Sequence, residues 1–234
     1  KMGVPNGEMA LFTSLLYLPW TIKPFWSPFV DIIKTKRWWT LSMQILMSVA
    51  FILLTLSIPR PDEATMAAGT TPISMFSITL MLFIITAFAS ATHDIAADGF
   101  YMLGLTPHQQ AFFVGIRSTF YRFATIAGQG LLIMLAGWLE EMTGRTSYAW
   151  SITFFTLAGC LLALWLYHSF VLPCPDQDCP SVARQGEARS ILTDFLLTFR
   201  SFFQKEQALT AILFMLLYRL PEAQLAKMGI PFLL

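Results

Sequence analysis

From Ile73 to Thr92 the chain runs for about 20 residues without a charge, the length that crosses the hydrocarbon core of a bilayer as an α-helix. Similar runs, free of Asp, Glu, Lys and Arg, cover Trp38–Ile58, Phe123–Leu139 and Tyr148–Val171. Their number fixes the class. Apolar residues make up 56% of the chain and charged ones 12%, about half the share usual in a soluble domain. A membrane β-barrel would instead show short alternating segments. Net charge is +1, and no basic stripe with interleaved aromatics lies outside the apolar runs, which argues against nucleic-acid binding. The pattern implies an all-α membrane protein.

Taken in order, the residues predict six spans. The first, Met9–Val30, carries Pro19, Pro24 and Pro28 and the single charge Lys23, placed either to snorkel to the headgroups or to face a central cavity. A tight basic loop follows, with Asp31, Lys34, Lys36 and Arg37, and Trp38 and Trp39 mark the interface. Trp38–Ile58 has one strongly polar residue, Gln44. The third span covers Ile73 to about Leu103, the fourth about Gln110 to Leu139, and the fifth Tyr148 to about Val171. After a long loop from Pro173 to Glu206 a sixth begins at Ala208. Within that loop Ser190–Phe203 is amphipathic, as expected of a helix in the headgroup plane. Lys34, Lys36, Arg37, Arg184, Arg189, Arg200 and Lys205 fall in loops on one side, against Arg60, Arg145 and Lys1 on the other. The positive-inside rule makes the first side cytoplasmic. We expect one helix before Lys1 and more after Leu234.

Charge at membrane depth is costly and normally faces a partner or a wet cavity. Here it concentrates at the end of the third span, in His93, Asp94 and Asp98, and at the start of the fourth, in Arg117 and Arg122, beside Tyr121. A short loop at Thr106-Pro107 makes these spans antiparallel neighbours, so the acidic and basic ends meet. Asp94 and Asp98 are four residues apart and share a helix face. Three roles stay open for them: a fixed ion pair with Arg117 or Arg122, a coupling-proton site, or a hydrogen bond to substrate. Carboxyls in apolar surroundings can exchange a proton near neutral pH. Arg117 and Arg122 are five apart, about 140° round the helix, so one can fork onto a substrate carboxylate while the other meets the acidic helix. Tyr121 can stack on a sugar or donate a hydrogen bond. In the last span Arg219 and Glu222 flank Pro221, and broken helices often carry transport sites. Asp31, Lys34, Lys36 and Arg37 read as a cytoplasmic latch between helix ends. Gly128, Gly130 and Gly137 suit close helix packing. Cys174 and Cys179 suggest a metal site or a disulfide, but two ligands at that spacing do not make a zinc site without two more, and no metal site is expected. His108 reads as a solvated loop residue and His168 as interfacial. No metalloprotease helix motif or nucleophile elbow appears, so an enzyme is not expected.

A short basic loop and a later long one match the plan of a twelve-helix major facilitator transporter. On that plan the chain is a fragment covering roughly helices 2 to 7. Trp26-Ser-Pro-Phe-Val-Asp31 with Lys34, Lys36 and Arg37 resembles the signature between helices two and three. Leu18–Asp31, the block Ser90-Ala-Thr-His-Asp-Ile-Ala-Ala-Asp98, and Gly115 through Tyr121-Arg122 resemble AmpG-type muropeptide permeases. His93 stands where that family has Gln, and Phe120 where it has Gly. Acetyl-CoA transporters share the branch. The resemblance implies a proton-driven importer of anhydro-muropeptides or a similar polar metabolite in a bacterial inner membrane. It implies residues 1–172 as an N-terminal bundle, 173–206 as a linker and 207–234 as the start of a C-terminal bundle. The partners implied are substrate, proton and lipid around a monomer, with the proton gradient and no cofactor as energy source. A carrier of a different substrate such as acetyl-CoA, or a non-transporting scaffold or sensor, is the alternative.

Overall fold

A computed structural model describes residues 6–58 and 73–179, then 193, 196–197, 200–201, 203–214 and 217. It divides into two compact units, Lys1–Arg184 and Gln185–Leu234. The described residues of the first unit are mostly helical: α1 (Asn6–Ile33), α2 (Lys36–Ser57), α3 (Ile73–Gly104), α4 (Pro107–Ile126), α5 (Leu132–Thr143) and α6 (Thr146–Val171). A π-helical turn, Ala127–Leu131, fuses α4 to α5. In the second unit residues 208–214 are helical, with Ala211 N donating to the Gln207 carbonyl at 2.9 Å. Arg219 and Glu222, and the rest of that expected span, lie outside the described residues, as does most of Ser190–Phe203.

Four stretches are long and apolar enough to cross a membrane: Lys36–Ser57, Phe76–Gly104, Pro107–Thr143 and Thr146–Val171. This is an all-helical, multi-pass membrane protein. The 28-residue α1 also has the length, and it carries three prolines and Lys23.

The rods pack in a row: α1 on α3, α3 on α2, α2 on α6, and α6 on α5. Lipid tails are as apolar as leucine, so packing and hydrogen bonds rather than the hydrophobic effect hold such helices together. The buried stripe of α2 shows this, with Thr40, Gln44, Met47, Ser48, Ala50 and Leu54 at helical spacing. Thr40 and Ser48 turn their hydroxyls back onto carbonyls one turn earlier, both at 2.9 Å, and present only carbon to the neighbours. Farther along, Thr55 and Ser151 donate to each other's backbone carbonyls across the α2–α6 seam, at 3.4 and 3.3 Å. Phe51, Phe83 and Trp150 close around the Phe154 ring and fill the space between α2, α3 and α6.

Local chemistry sets the helix ends. The Thr35 hydroxyl accepts from Trp38 N at 3.1 Å and opens α2. Thr106 and Gln109 form a reciprocal capping box, and Pro107 takes the first turn of α4, where its missing N–H costs nothing. Gly144 ends α5 at φ 64°, the left-handed conformation that glycine adopts freely. Close packing at Gly128, Gly130 and Gly137 does not occur among the described residues. A Cβ at any of them would meet nothing within 4 Å. Two of these glycines fall in the π-turn instead.

Candidate functional site

The N-terminal end of α2 and the C-terminal ends of α1, α3 and α6 gather at one end of the bundle, because each neighbour of α2 runs against it. Nearly every described charge in these helices lies there, in a belt of pairs. Asp98 of α3 pairs with Arg117 of α4, so the antiparallel hairpin brings acid and base together. The Arg117 guanidinium also lies over the Tyr101 ring, 5.5 Å from its centre. The Tyr101 hydroxyl donates to the Gln110 carbonyl at 2.6 Å and fastens the hairpin below it.

Asp94 does not pair with α4 among the described residues. It pairs with Lys23 of α1, so Lys23 turns onto α3 and does not snorkel to the headgroups. The two carboxylates on one face of α3 therefore hold cations from two different helices. Arg122 and Tyr121 are exposed, and their side chains make no ion pair or hydrogen bond among the described residues. No residue of α4 is buried.

The latch residues separate into two devices. Asp31 pairs with Lys36 across the α1–α2 turn, and Lys36 is 9% exposed. Its stem crosses α3 at Gly99, where a Cβ would sit 2.8 Å from Lys36 Cε, so only glycine leaves that path open. Arg37 turns the other way. It donates to the carbonyls of Ser169 at 2.8 Å and Leu172 at 3.2 Å, acceptors left free where α6 ends. Asp178 completes the joint: its carboxylate accepts from Lys36 N at 2.7 Å and Arg37 N at 3.0 Å, at the positive end of α2. Lys34 is exposed and takes no part in either device.

Sequence reasoning missed a third grouping. The Gln44 amide nitrogen lies 3.1 Å from His93 Nε2 and 2.8 Å from His168 Nδ1. His93 thus faces α2 and not the Asp94 partner, and His168 faces the bundle and not the interface. The available signal was a lone amide in an uncharged span, which has to find partners on neighbouring helices. An apolar cavity of about 500 Å³ between α1, α2 and α3 is lined by residues such as Trp26, Trp39, Met43 and Phe88, and by none of the candidate residues.

No protein-family model matches the chain. No solved structure matches it either. It is similar to a protein named putative transporter AmpG 4 from Rickettsia conorii, 26% identical over 229 residues, covering 92% of this chain and 49% of that one. A protein of the same name from Rickettsia felis is 26% identical over 228 residues, with the same shares. The anhydromuropeptide permease of Escherichia coli K12 is 25% identical over 228 residues, 95% of this chain and 41% of its own length. The chain thus spans about half the length, or less, of these curated relatives.

Proposed function

We propose that this chain is part of a secondary active transporter with a major facilitator fold, a proton-driven importer of cell-wall muropeptides or a similar polar metabolite across a bacterial inner membrane. The names of its relatives support the transporter class. The observation that carries the mechanism is the division of labour on α3, where Asp94 holds Lys23 of α1 and Asp98 holds Arg117 of α4. A carboxylate that takes up a proton gives up its cation. Protonating Asp98 frees the Arg117 fork for an anionic group of the substrate and unties α4 from α3. Protonating Asp94 unties α1. Proton binding, substrate binding and helix separation then compete for the same few side chains, as alternating access requires. Arg122 and Tyr121, on the same exposed helix, are the further substrate contacts.

The test is accumulation of a labelled anhydro-muropeptide by the full-length protein in vesicles under an imposed pH gradient. Asp94→Asn and Asp98→Asn should each reduce accumulation to background while the protein still purifies folded. Gradient-driven accumulation retained in both variants would overturn the proton assignment. Uptake of acetyl-CoA in place of muropeptide would overturn the substrate.

A further inference from the structure

We propose that Gln44, His93 and His168 form one proton-binding node joining α2, α3 and α6, in which the Gln44 amide turns over when a proton enters. The node goes beyond the carboxylate mechanism and does not depend on what is carried. Gln44 is 4% exposed, and its amide nitrogen contacts a ring nitrogen of each histidine. An amide NH₂ only donates, so both facing ring nitrogens present lone pairs. Each ring then keeps its proton on the far nitrogen, Nδ1 of His93 and Nε2 of His168, and both are neutral. An imidazolium has no lone pair to offer, so no proton can enter while the amide nitrogen faces the rings.

The other end of the same amide points to the second state. Gln44 Oε1 is buried with no hydrogen-bond partner among the described residues, an arrangement that buried polar groups rarely leave unrelieved. Turning the amide over puts Oε1 between the rings, where it can accept from two N–H groups. The incoming proton binds one ring nitrogen, and that ring donates to Oε1. The second ring stays neutral but changes tautomer by proton exchange with water: its far N–H breaks and a facing N–H forms, so it donates as well. One proton enters in all, two N–H bonds form and one breaks, and the oxygen orphaned in the first state is satisfied in the second. Two imidazolium ions across one neutral acceptor would repel, so the pair holds one proton.

The surroundings can hold that charge. On α3, Asp94 follows His93 and shares itself with Lys23 of α1, while Asp98 lies one turn on and holds Arg117 of α4. On α2, Lys36 and Arg37 lie two turns before Gln44, engaged with Asp31 and with the end of α6. On α6, the Tyr167 ring centre lies 5.5 Å from that of His168, and the helix carries no Asp or Glu. A proton on His93 therefore sits beside Asp94 and competes with Lys23 for it.

A purely structural bridge would stay neutral, so the test reads protonation directly. The full-length protein, with ¹⁵N-labelled histidine, is titrated in lipid nanodiscs between about pH 8 and pH 5, with no substrate and no gradient. The His93 and His168 ring signals should change at one shared midpoint, together accounting for one proton. His93→Gln, which keeps a hydrogen-bonding amide, should move the His168 midpoint by about one pH unit. His168→Gln, read at His93, provides the same test where the first variant folds poorly, and the wild-type titration needs neither. Rings that stay neutral across the range, or that titrate at separate midpoints unchanged by the partner's substitution, would overturn the node. Because no transport is measured, a failed uptake assay leaves this result untouched, and the reverse also holds.

Discussion

Lys36 shows how much one missing methyl group can decide. Its stem reaches Asp31 only by crossing Gly99, where a Cβ would stand 2.8 Å from Cε and 3.1 Å from Cδ. Gly99→Ala should displace the lysine and destabilise the protein by about 1 kcal/mol, measured by thermal unfolding in detergent. On a Lys36→Ala background the same substitution should cost much less, because alanine has none of the stem carbons that meet it; equal costs in both backgrounds would contradict the close approach. At this scale the sequence was legible where partners are hairpin neighbours. Asp98 and Arg117 meet because a short turn leaves them no alternative. Asp94 and Lys23 are 71 residues apart, and their meeting depends on α1 packing against α3, which no periodicity encodes. His168 could be seen as a polar residue in an apolar run, but its partner could not.

At the scale of elements, α2 and α6 are locked end to end by complementary dipoles. Asp178 gives a negative charge to the N-terminus of α2, while Arg37 gives a positive one to the C-terminus of α6. Asp178→Asn and Arg37→Gln should each lower stability by about 1 kcal/mol, seen as a lower unfolding midpoint. Because both act at one joint, the double variant should lose less than the sum; full additivity would place them in separate structures. The extent of the rods was readable from uncharged runs, and the start of α4 from Thr106-Pro107. The role of Asp178 was not readable, since a capping carboxylate supplied from a distant turn leaves no local pattern. The π-turn was equally hidden, because its residues are as apolar as those of any α-helical span.

For the whole molecule, the charged belt defines an inner end. The positive-inside rule predicts that this end faces the cytoplasm. The exposed thiols Cys174 and Cys179 lie beside it, next to the α6 terminus that Arg37 holds. A membrane-impermeant maleimide should therefore label them in inside-out vesicles and leave them unlabelled in intact cells. Labelling from outside would overturn that orientation. The class of the molecule and most of its rods could be read from charge spacing alone, whereas the order of rods in the row could not. That order is set by small and polar side chains meeting across seams, as Thr55 meets Ser151.

The turn at Ala127–Leu131 changes how the longest apolar rod should be counted. A π-turn absorbs one residue more than an α-turn, so a stripe traced in steps of 3.6 from Arg117 slips by one position once it passes Leu131. The half bearing Arg117 and Tyr121 and the half that buries Ala136 against α6 therefore keep separate phase. Substitutions in one half cannot be mapped onto the other by a helical wheel, and a single-residue deletion in the turn would bring the two faces into a common frame.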